Sequence, residues 1–324
     1  MTTASEPRLS VVVLTKDEAT NLPALLTSLA GLDCRIFVVD SGSTDATVAL
    51  AEAAGCHVVS HPFEHYAAQR NWAFDHLPID TLWVLSLDAD ERLTPALRDE
   101  IARVVAANDP AFDGYMLRKQ TWFMGRWLRH GGQYPAWHLR LARTGKVRCE
   151  DRLYDQHYVV DGPVGRLEND YIDILTDSLT SWTERHNRWA TLEATELLSE
   201  DDRIQVQPRW SGTPIERKRF LRMKVYRAFP LFARPFLLFL FDYVIRLGFL
   251  DGKPGLIFHV LQRFWFRFLV DAKIYEMRRK QKLRGADDPG DVAEAAMTAR
   301  RRTLSGGVAD EEGKAGGAER SLPT

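Results

Sequence analysis

An α/β fold built on a doubly wound, mostly parallel sheet with helices on both faces is what the first third of this 324-residue chain predicts. Three observations carry it. Mostly apolar runs of strand length recur at Leu9–Leu14, Arg35–Val39 and Leu82–Leu87, each too short for a helix, as in strands covered on both faces. Segments of helical periodicity separate them, so the order is that of crossover connections. Polar or acidic clusters stand directly at the carboxyl ends of the runs, where open parallel sheets gather their chemistry.

The elements follow in order. Leu9–Leu14 is the first strand, and Thr15-Lys16-Asp17-Glu18 is the polar loop at its end. Leu22, Leu25, Leu26 and Leu29 then repeat at helical spacing, with Asn21 placed to cap, Pro23 tolerated in the first turn and Gly31 as the stop. Arg35–Val39 is the second strand and ends in Asp40-Ser41-Gly42-Ser43-Thr44-Asp45. A helix from Asp45 to Ala54 stops at Gly55, Cys56–Ser60 is a third short strand, and Tyr66–Phe74 is a helix. The fourth strand, Leu82–Leu87, runs into Asp88-Ala89-Asp90-Glu91.

Two carboxylates one residue apart repel each other unless a cation lies between them or one takes a proton. Oxygen ligands favour a hard divalent ion, so Asp88 and Asp90 are candidate ligands for Mg²⁺ or Mn²⁺. The simpler alternative is a strand followed by an acidic helix cap. The Asp40 turn combines hydroxyls, a glycine and a helix start, which suits an anion or a ribose; its alternative is an Asx-turn that only opens the helix. No Gly-x-Gly-x-x-Gly or Gly-Lys-Ser/Thr is present, which argues against a dinucleotide-binding or P-loop protein.

Taken together, these segments resemble the family 2 glycosyltransferases of GT-A fold, in particular the branch acting on lipopolysaccharide core and exopolysaccharide. Thr15-Lys16-Asp17-Glu18 is similar to that family's first-strand loop, with Asp17 in place of the usual Asn. Val38–Asp45 resembles its second-strand motif, Gln69-Arg70-Asn71 the Gln-Arg/Lys-Asn of its third helix, and Asp88-Ala89-Asp90 its Asp-x-Asp. The resemblance implies that Asp40 holds the nucleotide base and that Thr15, Glu18, Arg70 and Ala89 line the nucleotide-sugar pocket. It also implies that Asp88 meets the ribose or the metal and that Asp90 ligates the metal.

Pro95–Ala106 reads as a helix and Gly114–Arg118 as a strand, followed by a glycine- and aromatic-rich stretch from Trp122 to Trp137. Aromatic faces stack on sugar rings and arginines bind phosphate, so this stretch and Arg118 form a candidate acceptor wall. The alternative places the aromatics in the core, with Arg118 and Arg140 reaching along apolar surface to water. Glu150-Asp151 and Tyr154-Asp155 fall where the family has its base, the carboxylate that takes the acceptor hydroxyl's proton as that oxygen attacks the anomeric carbon. Asp151 is preferred because an acidic neighbour raises its pKa; Asp155 and a salt-bridging role with Arg148 or Arg152 stay open. Ser181–Ala194 is a helix on which Arg185-His186-Asn187-Arg188-Trp189 resembles the family's Gln-x-x-Arg-Trp, so Arg185, Arg188 and Trp189 are candidates for diphosphate and acceptor contact.

The net charge of −1 conceals a division of the chain. Residues 1–202 carry 19 basic and 31 acidic side chains, whereas residues 203–284 carry 19 basic and 5 acidic ones. The organisation expected is a catalytic domain over 8–199, a linker over 200–214, a basic aromatic region over 215–284 and a disordered Gly/Ala-rich tail over 285–324. In the third segment Arg234, Asp242, Arg246, Arg263, Arg267 and Asp271 interrupt apolar runs that would otherwise approach the ~20 residues of a membrane span. Interfacial helices on an anionic membrane fit this pattern, with amphipathic helices packed on the catalytic domain as the alternative. Nucleic acid is a poor partner, since no recognition module accompanies the charge. Three scattered cysteines and an N-terminus lacking an apolar leader pattern suit a reducing cytoplasm.

The function expected is inverting transfer of one sugar from a nucleotide donor to a glycolipid or polyprenyl-linked saccharide, at the cytoplasmic face of the inner membrane as a peripheral protein. Bare polyprenyl phosphate is the nearest alternative acceptor, and a nucleotidyltransferase a more distant reading. Donor sugar, acceptor identity and oligomeric state are not legible.

Overall fold

The computed structural model of the chain describes residues 7–175, 178–199, 206 and 208–283. Its strands are β1 (Leu9–Thr15), β2 (Cys34–Asp40), β3 (His57–Ser60), β4 (Trp83–Asp88), β5 (Glu91–Leu93), β6 (Gly114–Phe123), β7 (Arg126–Trp127), β8 (Ala136–Arg143), β9 (Val147–Cys149), β10 (Tyr158–Val160) and β11 (Val164–Ile174). The helices are α1 (Leu22–Ser28), α2 (Thr47–Ala53), α3 (Tyr66–His76), α4 (Pro95–Ala107), α5 (Leu179–Leu198), α6 (Pro214–Phe220), α7 (Ala233–Leu240), α8 (Gly252–Phe258) and α9 (Phe266–Leu283).

Among the described residues, one nine-stranded sheet has the order β3-β2-β1-β4-β8-β6-β11-β5, with β7 paired to β6. The first four strands are mutually parallel, as their apolar runs predict. Beyond β4 the sheet becomes mixed: β8 runs antiparallel between β4 and β6, while β11 lies parallel to β6 and antiparallel to β5. Six of the nine strands thus share one direction, with β5, β7 and β8 opposed.

Side-chain alternation explains why the first runs are almost wholly apolar. Leu9, Val11 and Val13 of β1 pack with Trp83, Leu85 and Leu87 of β4 against Leu22 and Leu25 of α1. Val12 and Val84 point the other way and join Phe37, Val39 and Ala73. Both faces are buried, so each strand needs apolar residues at nearly every position, and each such side chain contributes about 1.5–3 kcal/mol.

Helix α4 shows how one cap ties sheet and helix together. Thr94 accepts from the Leu97 N–H at 3.3 Å while its hydroxyl donates to the Asp170 carbonyl at 2.7 Å. Pro95 occupies the first helical position, where its missing N–H is harmless. Thr94→Ala therefore lowers unfolding stability by about 1 kcal/mol and Thr94→Ser by much less, as read from urea midpoints.

Two features depart from the expected element order. The chain after Asp90 forms β5 before it enters α4, with Glu91 and Leu93 buried and Arg92 between them less so. Its partners on β11, Tyr171 to Asp173, follow about 80 residues later, so no local pattern announces it. The basic C-terminal region is helical but irregular, with wide turns of π type at 221–225, 241–245 and 259–265. It opens on a capping box in which Thr213 and Glu216 satisfy each other's backbone N–H groups. The described residues through Lys273 form one compact unit, and the end of α9 from Ile274 belongs to a second.

Candidate active site

The loops after β1 and β2 build a shared floor. Thr15, buried, donates to Asp40 Oδ1 at 2.9 Å, and the Gly42 and Ser43 N–H groups donate to Oδ2 at 2.9 and 2.8 Å. Burial alone would raise the Asp40 carboxyl; bonds from Ser43, Thr15 and Gly42 outweigh it and hold the pKa below its ordinary value. Asp40 thus forms the Asx-turn and keeps a permanent negative charge at the strand end. Gly42 has φ +82°, a conformation that favours glycine. Asp17 has φ 55° and accepts from the Thr44 N–H at 2.7 Å, stitching the two loops together. Asn and Asp both tolerate that backbone, which rationalises Asp17 where the resembling family has Asn. Glu18, at the entrance to α1, takes the Asn21 amide at 2.9 Å, and its own N–H donates to Thr47 Oγ1 at 2.8 Å.

The carboxyl end of β4 carries the strongest electrostatics. Arg70 projects from α3 and donates to both oxygens of Asp88, at 3.0 and 3.3 Å. Its guanidinium also lies over the Tyr66 and Tyr158 rings, at 5.5 and 5.3 Å. Arg140 from β8 reaches Asp88 at 3.2 Å and pairs closely with Glu91. Burial disfavours the Asp88 charge, but the two arginines overcome it and hold that carboxyl well below the usual range. Burial pushes Glu91 up to about 7, with Asp88 and Asp173 adding to the effect and Arg140 opposing it.

Asp90 behaves in the opposite way. Burial, then the charges of Asp173, Asp88, Glu91 and Glu18, raise its pKa well above the ordinary carboxylate value. The nearby cations are committed elsewhere: Arg70 and Arg140 to Asp88 and Glu91, and Lys119 to Asp173 at 2.6 Å. Ala89 between the two aspartates is buried in the core.

Tyr66 draws further residues to this place, since Arg185, Arg70, Asp88 and Asp90 all act electrostatically on its buried hydroxyl. Arg185 donates to the Leu175 carbonyl at 2.8 Å and lies 5.3 Å over the Trp189 ring. Trp189 in turn faces Tyr154, with ring centroids 6.1 Å apart. Arg188 is exposed on the same helix.

Strand alternation separates Arg118 from this group. Arg118 binds Asp170 at 2.5 Å and lies over the Tyr134 and Trp137 rings, whereas Lys119 points to the other face and meets Asp173. Arg140 is not a surface residue reaching for water; it is 8% exposed and sits between two carboxylates. A buried arginine inside Leu139-Arg140-Leu141-Ala142 was the available signal, because such a residue demands acidic partners.

The two base candidates differ sharply. Arg222 pairs with Asp155 at 2.5 Å, and this attraction outweighs burial to hold the carboxyl far below its ordinary value. Asp151 is exposed and lies 3.8 Å from His65 Nε2. Its neighbour Glu150 does not act on it as a free negative charge, because Arg219 grips both Glu150 oxygens. Accessibility, not an acidic neighbour, is what distinguishes Asp151 from Asp155.

Residues 10–157, which span these loops and both base candidates, match the model of the family described as glycosyl transferase family 2. Over that segment, a little under half of the chain, the protein is similar to the family 2 glycosyltransferases. An uncharacterized glycosyltransferase of Rickettsia conorii is 38% identical over 102 residues, 32% of this chain and 36% of that protein. The chain thus spans little more than a third of that relative. LpsC of Rhizobium meliloti, a lipopolysaccharide core biosynthesis glycosyltransferase, is 27% identical over 291 residues, 86% of this chain and 96% of its own. A crystal structure of S. aureus TarS residues 1–349 with UDP superposes with a TM-score of 0.42 at 16% identity, over 85% of this chain and 92% of that one.

Among the described residues no group of three or more His, Cys, Asp or Glu side chains forms a ready metal cage. Mg²⁺ and Mn²⁺ do not require one: one or two carboxylates plus phosphate oxygens and water suffice. Asp90, crowded by four carboxylates, fits that part, as a cation there would remove the repulsion that favours its protonation.

Proposed function

We propose that this protein is an inverting, metal-dependent transferase that moves one sugar from a nucleotide-sugar donor to a glycolipid or polyprenyl-linked saccharide acceptor. The step belongs to the building of surface polysaccharide or lipopolysaccharide, at the cytoplasmic face of the inner membrane. One observation carries the reading: the fixed charge set of Arg70, Asp88, Arg140 and Glu91 beside an uncompensated Asp90, at the carboxyl end of β4. Likeness to LpsC along nearly that protein's whole length supports the acceptor class.

In this reading Asp40 and the β1 and β2 loops receive the nucleoside, while Asp88 and Asp90 face the diphosphate. A bound Mg²⁺ or Mn²⁺, held by Asp90 with Asp88 beside it, would supply positive charge to the departing diphosphate. Arg70 and Arg140 fix the Asp88 carboxylate, so the site is organised before substrate enters. Arg185 lies near enough to Tyr66 to add a second cation on the leaving-group side. The acceptor oxygen attacks the anomeric carbon as its bond to phosphate breaks, and Asp151 takes the hydroxyl proton.

Nucleotide release from a panel of nucleotide sugars, with a lipid-extract acceptor and with Mg²⁺, Mn²⁺ or chelator, tests the reading. A metal-dependent, acceptor-stimulated release with one donor is expected; metal-independent release, or none with any donor, would overturn it. For the base, Asp151→Asn lowers kcat by about 10²–10⁴-fold with an unchanged melting temperature. Asp155→Asn, which strips Arg222 of a partner, lowers the melting temperature and affects kcat less. The reverse pattern would transfer the role to Asp155.

A further inference from the structure

The layer formed by residues 229–273 has its polarity reversed. Nine large apolar side chains between Phe236 and Leu250 are 38–68% exposed, Ile245 being the most open. Phe236, Leu240 and Val244 form one row at helical spacing, and Leu237, Phe241 and Ile245 form the row beside it. Most of the ionised residues of the same layer point inward. Arg234 binds Asp271 at 2.8 Å, Asp242 lies 3.1 Å from Arg263, and Asp251 takes His130 at 2.8 Å. Arg267 reaches Glu193 of α5 at 2.7 Å. Apart from the exposed Arg246, the charges that interrupt the apolar runs are therefore spent inside the protein, and the face turned outward is mostly hydrocarbon.

The layer is held to the catalytic domain, so this face is not an unfolded remnant. Phe258 packs on Phe123 with ring centroids 5.7 Å apart, and the Gly131 N–H donates to the Arg246 carbonyl at 2.9 Å. Internally, α7 packs on 259–265, and residues 248–251 pack on both 241–245 and α8.

We propose that this face inserts into the hydrocarbon of a lipid bilayer, as a docking surface that does not span it. No helix among the described residues is long and apolar enough to cross a membrane. Charge selects a bilayer over a second copy of the chain. All three acidic residues of 217–273, Asp242, Asp251 and Asp271, are at most 2% exposed, while Lys224, Arg246 and Lys253 are exposed. The outer surface of the segment is thus apolar and cationic without visible acid. Two such faces would repel each other, whereas anionic headgroups above a hydrocarbon interior complement both properties.

Flotation of the full chain tests this, using phosphatidylcholine vesicles with and without phosphatidylglycerol at low and high salt. Insertion predicts that the protein floats with anionic vesicles, that 1 M salt leaves a clear fraction bound, and that neutral vesicles also retain some, because apolar burial is not screened. Ile245→Glu with Leu250→Glu lowers the partition coefficient at least about tenfold. Both side chains are exposed, so the melting temperature stays put. Phe63→Glu, an exposed apolar residue outside the layer, leaves flotation unchanged. Lys224→Glu with Lys253→Glu weakens only the anionic preference. Binding abolished by salt, or unaffected by the Ile245 and Leu250 changes, would overturn insertion. So would failure to float together with self-association that the same glutamates dissolve.

Discussion

Asp90→Asn abolishes metal-dependent nucleotide release, lowering kcat/KM by about three orders of magnitude, and at the same time raises the melting temperature. The first half follows from several kcal/mol of leaving-group stabilisation assigned to the cation, at 1.36 kcal/mol per tenfold. The second half follows from the crowding at the end of β4. Asp90 has a folded-state pKa above its unfolded value, so its ionised form is disfavoured in the fold at neutral pH, and a neutral amide relieves that cost. Asp88→Asn gives the contrasting result. Asp88 has a depressed pKa, so it stabilises the fold above its unfolded pKa of 3.8 and loses that contribution in acid. Its removal leaves Arg70 without its carboxylate and weakens the hold on Arg140. Both variants are inactive in this reading, but only Asp88→Asn melts earlier. Thermal melts in chelator, paired with nucleotide-release assays, separate them. An active Asp90→Asn enzyme would remove the acidic pair from the mechanism.

What was legible in the sequence was what depends on neighbours along the chain. Strands β1 to β4 announce themselves because both faces are buried, and the turn at Asp40 because hydroxyls and Gly42 cluster there. What was not legible depends on pairing across distance. The strand at Glu91 leaves no local pattern, because β5 has only three residues and its partner is β11. Arg118 and Lys119 are adjacent basic residues on β6, and only the phase of that strand decides which one meets Asp173 and which meets Asp170. The C-terminal charges were read as interruptions of an apolar face. Apart from Arg246, four residues from Asp242, their partners lie between 21 and 121 residues away, as with Arg263 and Asp242 or His130 and Asp251, so composition could not reveal which of them point inward. Glu150 and Asp155 posed the same difficulty, since their cations come from α6 and the turn after it.

Arg219→Met should produce a large stability loss. Glu150 is fully buried, and Arg219 of α6, 4% exposed, donates to its two oxygens at 2.5 and 2.8 Å. The Val206 and His157 N–H groups complete the shell at 2.9 and 3.1 Å. Removing the guanidinium strands a buried carboxylate, which costs about 3–5 kcal/mol. Glu150→Gln in the same background recovers part of the loss, because the amide needs no counter-charge. Acid distinguishes this from simple loss of packing. Burial works against the Glu150 charge, but Arg219, His157 and Val206 lower the carboxyl from 4.5 to about 2. The wild-type pair therefore stabilises fully above pH 4.5 and loses about 3 kcal/mol as pH falls towards 2. In Arg219→Met the sign reverses: protonating an unpaired buried carboxyl is favourable, so the variant's deficit against wild type shrinks in acid. Urea unfolding at pH 7 and pH 3.5 measures both. A deficit independent of pH would mean that Arg219 acts through packing alone. The consequence reaches chemistry as well, since the same pair ties α6 to the segment carrying Asp151. If that tie positions the base, Arg219→Lys, which retains charge but not the two-pronged grip, loses kcat at temperatures where it is still folded.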